Sequence, residues 1–244
     1  MLLGPLTSPA AGELATGSVL VAPLGSTEQH GPHLPLSTDT DVALGLCHRL
    51  ALERPVVVAP AVPYGSSGEH VGFAGTISIG QEAFELLVLE LVRSATDTFG
   101  RVLLVSAHGG NAEPLSRAVE RLRWEGRDVL AWSPRWEDEL HAGRPETAMQ
   151  LALNPERGDL TRAEAGDTRP LAAIVSALRA GGVRAVSANG VLGDPTGATA
   201  AEGEALLETL TADLVRHFDE WTNLGRSSRS RGTSDHIETE AAES

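Results

Sequence analysis

Val19-Leu-Val-Ala-Pro-Leu24 runs without a break into Gly25-Ser-Thr-Glu28-Gln-His30-Gly-Pro-His33-Leu-Pro-Leu-Ser-Thr-Asp39, and the fold is read from this stretch. The apolar run has the length of a buried strand. Gly25 and Gly31-Pro32 then interrupt regular backbone. The loop that follows carries Glu28, His30, His33 and Asp39 within twelve residues. An α/β protein places its chemistry in such loops, outside the carboxyl ends of its strands. Glu28 and His30 are two apart, so on extended backbone their side chains leave on the same side and can reach one metal ion or two neighbouring ones. An acid beside a histidine is also an ordinary hydrogen-bonded pair, so the rest of the chain has to decide. The pattern points to a divalent-metal amidohydrolase or peptidase centre completed from farther along.

Outward from this stretch the same unit recurs. Arg101 to Ala107 is a second strongly apolar run, and it enters His108-Gly-Gly-Asn111 and then a helix through Leu115, Val119 and Leu122, which Asn111 can cap. Pro55 to Pro60 and Val129 to Trp132 read as shorter strands, and Thr76 to Ile79 returns to strand character. Helical spacing covers the residues after Asp39 to about Leu52, Gln81 to Thr98, the stretch through Met149, Leu151 and Leu153, Pro170 to Ala180, and Ala198 to about Trp221. Strands that alternate with helices predict an α/β three-layer sandwich, with a largely parallel central sheet flanked by helices. Residues 1–222 are expected to form a single domain, and the Arg/Ser/Gly-rich, then acidic, residues 223–244 a disordered tail.

Two loops carry further chemistry. Tyr64 to Gly75 is glycine-rich and bears Glu69 and His70. Pro134 to Leu140 bears Trp136 and leads to His141. Glu146 falls in the first turn of the next helix, where a carboxylate ordinarily meets the helix dipole and where it can also point into a site. His70, Asn111 and Trp136 are the candidate substrate contacts.

Composition removes several classes. A formal charge of −14 over 244 residues argues against nucleic acid as partner. All nineteen basic residues are arginine, so neither Schiff-base lysine chemistry nor a P-loop lysine is possible. Cys47, the single cysteine, lies within a helical pattern and reads as a small buried hydrophobe. No apolar run approaches the ~20 residues that span a bilayer, and no signal peptide is evident, so a cytoplasmic protein without membrane attachment is expected.

Taken together, Glu28-Gln-His30-Gly-Pro-His-Leu-Pro with Asp39, Gly75-Thr-Ile-Ser, His108-Gly-Gly-Asn111, His141-Ala-Gly with Glu146-Thr, and Gly193-Asp-Pro with Ala198-Thr-Ala-Ala-Glu202-Gly resemble the creatininase family of amidohydrolases. The likeness follows the family's order from about residue 17 to 222. It implies one or two divalent metals per subunit (Zn²⁺, Fe²⁺ or Mn²⁺). Glu28, Asp39 and His108 match the ligands of one metal, and His30 and Asp39 match those of the other, with Asp39 bridging. His141 matches the catalytic histidine. Creatininase itself has a glutamate where this chain has Gly110, which argues against creatinine as substrate. Glu146 is the candidate replacement ligand and a candidate catalytic carboxylate, with Glu202 in reserve. Within the family the motifs look most like a peptidase branch that releases a C-terminal Val-Tyr dipeptide from a modified precursor peptide. The likeness also implies a homo-oligomer. The alternatives are an amidohydrolase acting on a small cyclic amide or formamide, and a non-catalytic metal-binding protein.

Overall fold

The computed structural model describes residues 1–135 and 141–232, with side chains described as far as residue 223. Among these, helices α1 (Ser8–Ala15), α2 (Thr38–Glu53), α3 (Gln81–Ala95), α4 (Ala112–Trp124), α5 (Arg144–Leu153), α6 (Leu171–Gly181) and α7 (Ala200–Gly232) accompany strands β1 (Val19–Leu24), β2 (Val56–Val58), β3 (Arg101–Ser106) and β4 (Asp128–Trp132). The strands form one sheet in the order β2-β1-β3-β4, and every pairing is parallel.

Alternation of side chains across the pleat builds the three layers. Val19, Val21, Val58, Leu103 and Val105 face one side and pack on α2, α5 and α7 through Leu46, Leu50, Met149, Leu207 and Phe218. Leu20, Ala22, Leu24, Val102 and Leu104 face the other and pack on α3 and α4 through Phe84, Val88, Val92, Leu115 and Leu122. The all-apolar strands are therefore buried on both faces, as parallel strands must be. After β1 the chain crosses to β2 on one side and returns to β3 on the other. The carboxyl ends of β1 and β3 thus flank the point where the strand order reverses, which is where open α/β sheets open a crevice. The two histidine-bearing loops leave from those two ends.

Three expectations change. Thr76–Ile79 is not a strand: Ile77 N donates to Thr27 O and Ile79 N to Gly65 O, so the segment ties loops together and joins no sheet. Helix α7 runs to Gly232, past the boundary expected near residue 222, while residues 233–244 lie outside the described residues. Asn111 does not cap α4. Its side chain accepts from Ser66 N at 2.9 Å and donates to Gly25 O at 3.1 Å. Among the described residues no helix is long and apolar enough to cross a membrane.

Candidate metal centre

Six chemistry-bearing residues named from the sequence converge above the ends of β1 and β3. Glu28 and His30 come from the loop after β1, Asp39 from the first turn of α2, His108 from just past the end of β3, His141 from just before α5 and Glu146 from the first turn of α5. Glu28, His30, Asp39, His108 and His141 are all buried, with no more than 7% of their surface exposed. Asp39 stands between two imidazoles: Oδ1 lies 3.2 Å from His30 Nε2 and Oδ2 lies 3.2 Å from His108 Nδ1. Ser26 Oγ donates to Oδ2 at 2.6 Å and fixes the carboxylate. Glu28 Oε2 is 3.3 Å from His108 Nε2, and Glu146 Oε2 is 3.9 Å from His30 Nε2.

The tautomers follow from the groups that the far ring nitrogens meet. His30 Nδ1 lies 3.2 Å from the Glu28 carbonyl, which can only accept, so Nδ1 carries a hydrogen and Nε2 faces Asp39. His108 Nε2 donates to Ser66 O at 2.9 Å, which leaves Nδ1 for Asp39. His141 Nε2 donates to the Gln29 carbonyl at 2.7 Å, which leaves Nδ1 as the basic nitrogen, 3.7 Å from Glu28 Oε1. Backbone anchoring of one nitrogen while the other points at carboxylates is the arrangement of metal-ligating histidines.

The electrostatics agree. Burial works to lower the pKa of His30, but Asp39 and then Glu146 outweigh it and raise it to about 10. Burial likewise opposes, and Glu28 and Asp39 overcome, a rise at His108 well above the usual histidine value. Without a cation, protons sit between imidazole and carboxylate. Glu28 responds in the opposite sense: burial tends to raise it, yet His108 helps to hold it at about 2. Its Oε2 is buried with no hydrogen-bond partner among the described residues, because His108 donates to Ser66 instead. An orphaned carboxylate oxygen beside an imidazole, with two more imidazoles facing the other oxygen of the same carboxylate, fits a bound cation. Donor atoms of Glu28, His30 and His141, of Glu28, Glu69 and His108, and of His30, Asp39 and Glu146 each fall within 4.8 Å of one another. Burial raises Glu146 to about 7, and its Oε2 accepts from Ala142 N at 2.5 Å.

Two residues escaped assignment from sequence. Gln29 is buried at the hub. Its Oε1 accepts from Gly31 N at 2.8 Å, which orients the amide so that Nε2 donates to Gly190 O at 3.0 Å and to His70 Nδ1 at 2.9 Å. His70 must then carry its hydrogen on Nε2, which it presents to Glu28 Oε1 at 3.4 Å. His70 is therefore buried and orients a carboxylate, besides lining the cavity over the site. Glu69 brings a fourth carboxylate, with Oε1 3.9 Å from His108 Nε2. A side chain at position 110 would run into the Ser66 carbonyl, Glu69 Oε1 and His108 Nε2, so that position must be glycine. Two candidates fall away. Asn111 is fully buried with its amide engaged between loops, which removes it as a substrate contact. Glu202 accepts from Arg144 Nε at 2.8 Å on a half-exposed surface, which removes it as the reserve ligand. Trp136 lies outside the described residues.

A parallel α/β sandwich with clustered imidazoles and carboxylates at its switch point is built for metal-dependent hydrolysis of amide bonds. The chain belongs to the creatininase family: the family model described as creatinine amidohydrolase matches residues 5–218. The chain is 45% identical over 211 residues to the mycofactocin precursor peptide peptidase of Mycolicibacterium smegmatis, covering 83% of this chain and 85% of that protein. It is 45% identical over 233 residues to the protein of the same name from Mycobacterium tuberculosis strain H37Rv, covering 90% and 92%. A solved creatininase described as a manganese form superposes with a TM-score of 0.76 at 24% identity, covering 90% of this chain and 97% of that one, and so shares the fold.

Proposed function

We propose that this chain is a metal-dependent peptidase that releases the C-terminal Val-Tyr dipeptide from the modified mycofactocin precursor peptide. The observation that carries this reading is the cluster of Glu28, His30, Asp39, His108, His141 and Glu146 in a chain 45% identical to peptidases named for that substrate. Glu28, Asp39 and His108 would hold one divalent metal, and His30, Asp39 and Glu146 would hold a second. Mixed imidazole and carboxylate donors suit Zn²⁺, Fe²⁺ or Mn²⁺. Such ions polarise an amide carbonyl and lower the pKa of water from ~15.7 to roughly 7.

The remaining work belongs to the protein. His141 lies between His30 and His70, with ring centroids 4.3 Å from each and the rings tilted by 44° and 47°, and its backbone pairs with Leu192. Burial, with His30 and His70 beside it, holds its pKa well below the usual value, so it enters the cycle neutral. Its Nδ1 takes a proton from the attacking water and returns it to the departing amine. Gln29 and His70 keep Glu28 oriented throughout.

The test uses the metal-loaded protein with modified and unmodified precursor peptide, read by mass spectrometry for the dipeptide. Asp39→Asn should lose both metals and all release while keeping the wild-type circular dichroism, whereas Glu146→Gln should lose one metal. Release by metal-free protein, or full metal content in Asp39→Asn, sinks the scheme. Turnover of a small cyclic amide with no peptide cleavage reassigns the substrate.

A further inference from the structure

The cavity over the metal centre, about 720 Å³, has a second wall that the hydrolytic chemistry does not use. One side is the imidazole and carboxylate cluster. The other is α6 and the turn after it, which contribute Leu171, Leu178, Arg179 and Val183. This wall is rigidly mounted. Ile174, Val183 and Leu192 form a buried cluster with Leu178 and Phe73 packed on it. Gly182, at φ +69°, closes α6 so tightly against the Glu69 carbonyl that no side chain fits there. Arg184 Nη1 donates to Gly72 O at 2.6 Å and pins the turn to the Glu69–His70 loop.

Arg179 differs from the arginines that have an acid partner. Arg157 pairs with Asp41, Arg169 with Asp167 and Arg144 with Glu202. Arg179 is exposed, lines the cavity and makes no ion pair or hydrogen bond with any described residue. In a chain of formal charge −14, a guanidinium without an acid partner at the mouth of a site is placed for an anion that arrives with the ligand. A planar carboxylate is its bidentate match.

We propose that α6 forms a subsite for the C-terminal end of a peptide. Arg179 receives the free α-carboxylate, and Leu171, Leu178 and Val183 receive the terminal side chain. This deepens the peptidase reading and rests on it. Two residues of extended chain span roughly 7 Å, so an anchored carboxylate would set the cut at a fixed distance from the chain end, where the peptide carbonyl meets the metals. The enzyme would then measure from the terminus and need not read the sequence before the cut.

The experiment compares two synthetic peptides that differ only at the end, one a free acid and one a C-terminal amide, with the metal-loaded full chain. Wild type should favour the acid in kcat/KM by about 10- to 100-fold, mainly through KM. Arg179→Gln should bring the ratio near one, and Arg179→Lys should keep part of it as a point charge. Metal content and circular dichroism of each variant check that the centre and fold are intact. Equal cleavage of acid and amide by wild type overturns the subsite, as does an Arg179→Gln variant that slows both equally. Failure of wild type to cleave either peptide overturns the peptidase reading, and this inference with it.

Discussion

Gln29→Met replaces the hub amide with a side chain of similar length that neither donates nor accepts strongly. Three groups lose their partner: His70 Nδ1, Gly190 O and Gly31 N–H. At about 1 kcal/mol for each unsatisfied group, the low end of the usual range, the loss is roughly 3 kcal/mol. For a chain of this size that is a fall in Tm of about 6–12 °C, read on metal-free protein so that metal binding does not contribute. The functional effect has a separate route. Without the amide, His70 can take its other tautomer and turn a lone pair toward Glu28, from which it stands 3.4 Å. Loss of such an orienting partner weakens metal binding by about 10- to 100-fold. Competition with a chromophoric chelator measures it. His70→Ala should cause a similar loss, and the double variant should be no worse than His70→Ala alone, because both remove one interaction. Metal affinity of Gln29→Met within about twofold of wild type would refute the tautomer argument, whatever the melting temperature does.

Two further predictions concern histidines. His141→Ala should retain metal yet lose about 10²–10⁴ in kcat; single-turnover kinetics with kcat unchanged would remove the ring from the chemistry. His33 is buried against α5, with Nε2 at 2.9 Å from Thr147 Oγ1, and burial, with His30 behind it, pushes its pKa down to about 4. The unfolded chain takes up that proton near pH 6.5, so between about pH 6.5 and 4 the unfolded state binds more protons. Stability from this group therefore falls as pH drops through that window, by roughly 3 kcal/mol. The gap in urea stability between wild type and His33→Gln should narrow from pH 7 to pH 4, and parallel curves would refute it.

The fold and most of the centre were legible in the chain because both rest on local signals. Apolar runs of strand length separated by helical periodicity dictate an α/β sandwich, and glycine-broken loops at strand ends announce where chemistry sits. Glu28, His30, Asp39 and His108 could be named because each lies within or beside such a loop. The distances of 3.2–3.3 Å from His108 to Asp39 and Glu28 then tie the two loops together. What failed were signals with more than one local use. Asn111 had the sequence position of a helix cap, and Thr76–Ile79 the composition of a strand. In each case contacts with distant loops, through Gly25 and Ser66 in one and Thr27 and Gly65 in the other, prevailed over local preference.

By itself the sequence determined which residue types could serve as ligands, and that strand ends would present them. Only the tertiary structure decided which nitrogen carries the proton in His70, His108 and His141, because a tautomer is set by the carbonyl or amide that meets the far ring nitrogen. Those partners, Ser66 for His108 and Gln29 for His70 and His141, lie 41 to 112 positions away in the chain. No local pattern encodes a contact at that separation; it exists only once the parallel crossovers have brought the ends of β1 and β3 side by side.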